Sequence, residues 1–172
     1  YKPKEKYSIS YGSPILFQID SLENEDEFIY DTLSISSDTM QAYRYIDNEH
    51  YVFTDSVEII RKDVKARAKL ATYYRTKDIF ILEDEPIIWY ENSQLYGDSI
   101  TIELENSKLK RIESVGNAFS ISKEFETFAQ FLNQLAGHTI EMIFEDGKIA
   151  RIITNQNAQS LYFSQNDNGA ID

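Results

Sequence analysis

The segment Val64-Lys65-Ala66-Arg67-Ala68-Lys69-Leu70 indicates the class of fold. Apolar and cationic side chains alternate strictly along it, and successive side chains of a β-strand point to opposite faces of a sheet. One face of this segment is therefore apolar and the other cationic, as in a half-buried strand. A helix would instead repeat its apolar residues every three or four positions. The segment predicts a β-strand.

The same period of two recurs along the chain. It is visible in four further segments, 33–36, 57–59, 100–104 and 139–144. Polar clusters typical of strand turns separate the apolar runs, at 46–49, 105–108 and 145–148. The chain as a whole therefore predicts an all-β fold, an antiparallel meander of strands. The same alternation is also compatible with a closed sandwich that holds no ligand.

One segment departs from this pattern. Apolar residues recur every three to four positions between 124 and 135, namely Phe125, Phe128, Phe131 or Leu132, and Leu135. Glu124 and Glu126 near the start and Gly137 just past the end are typical of helix termini. We therefore predict one short amphipathic helix over residues 124–135, packed against the sheet.

Length and charge limit the classes of function. A chain of 172 residues fits a single domain over residues 1–172. Its 17 Lys and Arg against 29 Asp and Glu give a net charge of −12, which opposes nucleic-acid binding by bulk charge, so we expect no nucleic-acid partner. The longest apolar runs fall far short of the about 20 residues that a membrane-spanning helix needs. The first residue is Tyr1 rather than Met, so we expect that an N-terminal portion has been removed.

The strands also form a repeated unit. Ser37-Asp38-Thr39-Met40, Gly97-Asp98-Ser99-Ile100 and Gly137-His138-Thr139-Ile140 each open a unit of strand, polar turn and returning strand. The units advance by about thirty residues apart from the helical segment, a period in the range of stacked repeats. A single unit cannot bury its apolar face alone, so we expect the units to stack on one another.

The order of several motifs resembles a known family. They are Ser37-Asp38-Thr39-Met40-Gln41-Ala42, Asp78-Ile79-Phe80-Ile81-Leu82, Glu85-Pro86-Ile87-Ile88-Trp89, Asn92-Ser93-Gln94-Leu95-Tyr96-Gly97-Asp98-Ser99-Ile100, Phe131-Leu132-Asn133-Gln134-Leu135-Ala136-Gly137, Phe144-Glu145-Asp146-Gly147-Lys148 and Asn157-Ala158-Gln159-Ser160-Leu161-Tyr162. Together they resemble the OstA-like, LptA-type lipopolysaccharide-transport family over residues 33–163. The helical segment and an acidic cluster at residues 20–31 have no counterpart in the compact single-domain members.

The resemblance implies a fold and a function. It implies an open, twisted, taco-like β-jellyroll of two facing antiparallel sheets, acting in the periplasm or cell envelope of a Gram-negative bacterium. Its apolar interior would shelter the acyl chains of lipopolysaccharide or a related glycolipid. Edge-strand stacking would join it to other jellyroll transport proteins or to itself. The domain would be part of a longer envelope protein.

The resemblance, combined with the alternating pattern, gives a set of groove candidates. Each belongs to an apolar set that the family buries between its sheets: Val64, Ala66, Ala68, Leu70, Ile79, Ile81, Ile100, Ile102, Leu104, Ile140, Met142 and Phe144. The face is undecided for Ile79 and Ile81, since Phe80 and Leu82 suit the opposite face equally well. Because lipid A carries phosphates, the cationic face of the opening segment supplies head-group candidates, Lys65, Arg67 and Lys69. The alternative for these cations is a solvated face that discourages aggregation.

Catalytic and metal-binding patterns are weak. The chain has no cysteine, and its two histidines, His50 and His138, lie outside any pattern of paired metal ligands. We therefore expect neither an enzyme nor a cofactor. The competing interpretation to lipid transport is a structural or adhesive β-repeat domain with a closed core and no lipid ligand. An unfilled apolar groove between the sheets would distinguish the two.

Overall fold

The structure is a computed structural model that describes residues 6–23, 28–45, 48–123 and 131–164. Its strands, numbered in chain order, are β1 (Lys6–Tyr11), β2 (Ile15–Glu23), β3 (Phe28–Ser36), β4 (Thr39–Arg44), β5 (Glu49–Ile60), β6 (Val64–Tyr74), β7 (Ile79–Glu83), β8 (Ile87–Tyr90), β9 (Ser93–Tyr96), β10 (Ser99–Glu105), β11 (Lys108–Lys123), β12 (Leu132–Glu145), β13 (Lys148–Asn155) and β14 (Gln159–Leu161). The prediction of an all-β fold is confirmed.

The strands pair in two rows, and every pairing is antiparallel. The first row runs β1-β4-β5-β6-β7-β10-β11-β12-β13. The second row runs β2-β3-β5-β6-β8-β9-β11-β12-β14. Four long strands, β5, β6, β11 and β12, belong to both rows. The rows are therefore parts of one hydrogen-bonded network rather than separate sheets.

The long strands cross from one row to the other along a line of corners. In β5 the pairing shifts between Thr54 and Val57, and in β11 it shifts between Val115 and Ala118. Beside these shifts, the chain passes from a short strand of the second row to a short strand of the first, as between β3 and β4. There the Asp38 amide donates to the Asp55 carbonyl oxygen at 3.0 Å. The equivalent bonds run from the Asp98 amide to Gly116 and from the His138 amide to Gln156, at 2.8 and 2.9 Å. We call this series of turns the corner line.

The central strands close into a barrel-like ring. β6 pairs with β7 through one half and with β8 through the other, and β11 pairs likewise with β10 and β9. Since β7 pairs with β10 and β8 pairs with β9, six strands close on themselves. In the part of the chain that the structure describes, β1 and β2 form one end of the rows, and β13 and β14 form the other.

One core lies between the rows. Buried side chains come from both, including Ile35 and Leu95 of the second row and Phe53 and Ile140 of the first. Tyr90 of β8 packs edge-on against Phe144 of β12 at 5.1 Å between ring centroids. Its hydroxyl also donates to the Gly147 carbonyl oxygen at 3.0 Å. The apolar faces of the two rows therefore meet in a shared interior.

The predicted helix over 124–135 is wrong in the part that the structure describes. Strand β12 begins at Leu132, and Lys123 of β11 pairs with it. The remainder of the prediction, 124–130, lies outside the described residues. Pairing of β12 with both β11 and β14 supplies backbone hydrogen bonds that the local helical spacing could not compete with. No helix occurs among the described residues.

Candidate functional site

Most of the groove candidates lie in the shared interior. Eight are buried in the single core cluster, namely Val64, Ala66, Ala68, Ile100, Ile102, Ile140, Met142 and Phe144. They come from β6 of the second row and from β10 and β12 of the first, so distant parts of the chain meet there. The structure thus brings these side chains together.

The other four candidates are only half-buried. Leu104 packs against the core from the end of β10. Leu70 lies at the corner of β6, where the buried positions change from Ala66 and Ala68 to Ala71 and Tyr73. Where a strand changes row at a corner, the alternation of inward and outward side chains shifts by one residue. Leu70 lies at this shift, so its side chain does not face the core as Ala66 and Ala68 do. This corrects its assignment to the same inward face as Val64.

The inward positions of β7 belong to Phe80 and Leu82. Both are buried, whereas Ile79 and Ile81 are half-buried on the opposite face of the strand. The assignment of Ile79 and Ile81 to the inner face is therefore wrong. All four residues are apolar, so periodicity alone could not choose between the faces.

Several interior residues were missed by sequence reasoning. Tyr51 and Phe53 in β5 and Ile112 in β11 are buried, as are the polar Ser114 and Ser120 of β11. The aromatic and β-branched run Tyr51-Val52-Phe53-Thr54 was a usable signal for a strand, although it does not show which side chains face inward. The serines carried none, because the Ser114 hydroxyl is satisfied by donating to the Tyr96 carbonyl oxygen at 2.6 Å, a contact set by the fold.

The interior opens at the C-terminal end of the rows. A cavity of about 480 Å³, which we call the C-terminal cleft, lies between β12 and β13 of the first row and the strands of the second. Its lining is mainly apolar, including Leu135, Met142, Ile152 and Leu161, with hydroxyls from Ser120 and Ser122. This volume falls within the about 300–1,000 Å³ common for ligand sites. Met142 is the groove candidate that reaches it.

A second opening lies at the other end. The N-terminal cleft has a volume of about 380 Å³. One side is formed by the β2 residues Leu16, Phe17, Gln18 and Ile19. The other side is formed by Arg44 of β4, Tyr51 of β5, Tyr73 of β6 and Arg75, which follows β6. Its chemistry differs from that of the C-terminal cleft, because charged and hydroxyl groups stand beside apolar ones. Local sequence pattern gives no sign of this cleft.

Glu49 organises the charged groups of the N-terminal cleft. Its carboxylate lies 3.5 Å from Arg44 Nε and 3.3 Å from Arg75 Nη1. The Tyr51 hydroxyl donates to Glu49 Oε1 at 2.7 Å. That hydrogen bond, followed by the charge of Arg75, holds the pKa of Glu49 below its usual value. Glu49 is therefore a carboxylate at neutral pH.

The head-group candidates lie on the outer face of β6. Lys65 Nζ and Arg67 Nη2 each lie 3.0 Å from the same Glu58 oxygen, and Lys69 Nζ lies 3.0 Å from Glu85 Oε2. The hydrogen bonds from Lys65 and Arg67 lower the pKa of Glu58. These cations point away from Val64, Ala66 and Ala68, so the two candidate sets occupy opposite faces of one strand.

The imidazole of His50 is packed among aromatic rings. His50 stacks between Tyr43 and Tyr74, at 4.7 and 5.6 Å between ring centroids. No group of three or more metal-ligating side chains occurs in the ranges that the structure describes. Across those same ranges, none of the structure has the length and apolar character of a membrane-crossing helix.

Comparison with known proteins supports the resemblance. No curated protein matches the chain. A family model, described as LptA/(LptD N-terminal domain) LPS transport protein, matches residues 27–108. The matched segment contains β3 to β10, including two of the repeated corner motifs and strands of both rows. Over residues 27–108, the chain is therefore similar to the LptA/(LptD N-terminal domain) LPS transport protein family.

Proposed function

We propose that this protein is a lipid-binding module of lipopolysaccharide transport, acting in the periplasm of a Gram-negative bacterium. The two rows would form an open β-jellyroll whose interior shelters acyl chains from water. The observation that carries this proposal is the apolar interior that opens into the C-terminal cleft beside Met142. The match of residues 27–108 to a lipopolysaccharide-transport family supports the same function.

The energetics of such a site favour long apolar chains. Each methylene removed from water contributes about 0.8 kcal/mol. The C-terminal cleft offers Leu135, Met142, Ile152 and Leu161 as contacts, and among the residues that the structure describes no charged side chain lines it. Acyl chains therefore gain contact area there without displacing an ion pair. The acyl chains of lipopolysaccharide, or of a related glycolipid, are the ligands that this surface suits.

The middle of the molecule favours a second candidate function. Phe53, Leu82, Ile100 and Ile112 are almost fully buried, so protein side chains fill the space inside the six-strand ring. A structural or adhesive domain with a closed core would have such a centre. On the lipid-transport proposal, chains enter from the ends, and passage through the centre requires these side chains to move.

The open ends also suggest partners. Unpaired edge strands are templates for strand addition. We propose that the edges formed by β1 with β2 and by β13 with β14 join this domain to other jellyroll transport proteins or to a second copy of itself. Such a chain of domains would align their interiors.

Photo-crosslinking tests the lipid site. Probes at Met142 and Ile102, with Glu103 on the outer face as the matched control beside Ile102, would be exposed to lipopolysaccharide. We expect strong labelling at Met142, weaker labelling at the more enclosed Ile102 and only background at Glu103. Equal labelling at all three positions, or none at any, would favour the closed structural domain.

A further inference from the structure

We propose that a cleft on the outer face of the second row binds an acetamido sugar of an extended glycan, with the indole of Trp89 stacking on the sugar ring. The cleft, which we call the outer cleft, has a volume of about 260 Å³ and lies at the turn between β8 and β9. This is below the about 300–1,000 Å³ of sites that enclose a whole ligand, so the cleft suits one unit of a longer chain. Its apolar side chains differ from those of the C-terminal cleft, so the inference is independent of the lipid function.

The alternation of burial places Trp89 on the outer face. In β8 its neighbour Ile88 is buried in the core, and in β9 Leu95 is buried whereas Gln94 is only half-buried. Cross-strand register then sets Trp89, Gln94 and Ile121 abreast on β8, β9 and β11. An indole, an amide and an alkyl side chain are therefore neighbours on one outward surface, and all three line the cleft.

Arg67 supports the indole from the side away from the cleft. Its guanidinium carbon lies 5.8 Å from the centre of the Trp89 ring. Arg67 Nη2 in turn donates to Glu58 Oε1 at 3.0 Å, which holds the guanidinium in place. β6, which carries Arg67, and β9, which lines the cleft, pair with opposite edges of β8. The indole is therefore ordered before a ligand arrives, which lowers the entropy cost of binding.

The rim of the cleft supplies polar groups of both kinds. Glu91 and Lys123 both line it, so their charges offset each other and neither a free anion nor a free cation is favoured. The Tyr96 hydroxyl donates to Gln94 Oε1, which holds this amide in place, and the amide nitrogen carries donors that suit a sugar hydroxyl or carbonyl. The C–H groups on one face of a pyranose ring suit the negative face of an indole. An alkyl chain would instead leave the polar rim without partners.

A second apolar surface specifies the kind of sugar. Ile121 and Leu132 line the cleft on the far side of Gln94 from Trp89. A plain hexose on the indole would meet these alkyl groups with hydroxyls. An acetamido group carries an amide and then a methyl, the same order in which Gln94 and Ile121 follow Trp89 across the strands. The outer cleft therefore favours N-acetylhexosamine units.

Intrinsic fluorescence tests the site directly, because Trp89 is the sole tryptophan of the chain. The probes are two trisaccharides with the same linkage: triacetylchitotriose, which carries acetamido groups, and cellotriose, which has hydroxyls in their place. We expect a saturable change in emission with both, and about fourfold tighter binding of triacetylchitotriose, the effect of burying one methyl group. Sorbitol, which has hydroxyls but no ring, should give no saturable change.

Matched substitutions separate the acetamido contact from effects on folding. Ile121→Thr keeps a β-branched side chain of similar size, so the strand is retained while the apolar surface is reduced. We expect it to remove the preference for triacetylchitotriose and to leave cellotriose binding unchanged. Ile87→Thr, on the same outer face of β8 but away from the lining of the cleft, should change neither. Trp89→Ala, followed by titration calorimetry, should weaken both sugars by about tenfold.

The contrary outcomes are also defined. Equal affinity for the two trisaccharides, or a preference for triacetylchitotriose that survives Ile121→Thr, overturns the acetamido sugar as the ligand. The absence of a saturable change with either trisaccharide, a change that sorbitol reproduces, or full affinity in Trp89→Ala overturns the outer cleft as a sugar site. Labelling at Met142 by lipopolysaccharide reports the C-terminal cleft separately, so failure here leaves the proposed lipid function standing.

Discussion

At the scale of single residues, Tyr73 lies between the buried core and the N-terminal cleft and contacts both. Its ring stacks on Phe80 with centroids 4.2 Å apart and planes 6° from parallel. Its hydroxyl lies within hydrogen-bonding distance of Gln18 Oε1 and Asp78 Oδ1, at 3.0 and 2.9 Å. Burial, and next the charge of Asp78, raise the pKa of Tyr73 above its ordinary value of 10.0. The folded protein therefore holds this phenol in its neutral form.

This has a predictable effect on stability at high pH. The unfolded chain releases the Tyr73 proton near the ordinary pKa, whereas the folded chain retains it, so the contribution to stability is complete below about pH 10 and declines as the pH rises further. We expect Tyr73→Phe to cost about 1 kcal/mol at neutral pH through the lost hydrogen bond. Above pH 10 the variant should lose stability less steeply than the original. Urea unfolding across this range measures both, and parallel pH profiles would contradict the prediction.

At the scale of elements, the corners decide how the strands are divided between the rows. Gly97 joins β9 of the second row to β10 of the first, where a Cβ atom would overlap the Ser114 hydroxyl oxygen. We expect Gly97→Ala to destabilise the protein by about 1–3 kcal/mol, as overpacking does. With Ser114→Ala also present, the added cost of Gly97→Ala should shrink, because the clashing oxygen is gone. A double-mutant cycle by urea unfolding measures this coupling.

The outcome of the cycle distinguishes a steric corner from a flexible one. Ser114→Ala alone also removes the hydrogen bond to Tyr96, so its own cost must be subtracted. Strictly additive costs would show that the corner relaxes and that Gly97 is not required for close approach. Gly147→Ala is a comparison variant, because a Cβ atom at Gly147 would meet nothing within 4 Å. Any cost of that substitution comes from the positive φ of Gly147 rather than from a steric clash.

The corners also explain how far the sequence could predict the elements. Strict alternation identified the strands around Val64, Ile100 and Ile140, and polar pairs such as Asn106-Ser107 and Asp146-Gly147 identified hairpin turns, both confirmed by positive φ values. The alternating pattern does not show where a strand changes row. The prediction that Leu70 faces inward like Ala66 and Ala68 was therefore wrong. The N-terminal cleft depends on Arg44, Glu49 and Arg75 meeting across three strands, a register that local pattern does not encode.

At the scale of the whole molecule, the two ends of the rows differ from the closed middle. β1 and β2 expose large apolar side chains, among them Tyr11 and Phe17, and the opposite end exposes Ile152 and Tyr162. In the described part of the chain, each row contains nine strands in antiparallel order, so β1 and β13, at the two ends of the first row, run in the same direction. Both reach the corner line at their C-terminal ends. A second copy that continues the rows would therefore pair its β1 with β13 in parallel.

Because the chain has no native cysteine, this geometry can be tested by disulfide trapping. Tyr7 lies four residues before the end of β1 and Arg151 four before the end of β13, and both are exposed on the outer face. We expect Tyr7→Cys and Arg151→Cys to form a mixed disulfide when combined, and one chain carrying both to give a ladder of oligomers, since head-to-tail contacts do not close. Glu103→Cys, on the outer face of the ring, should remain monomeric. Disulfides formed only between two copies of the same single variant, or with equal yield by the Glu103 control, would contradict head-to-tail stacking.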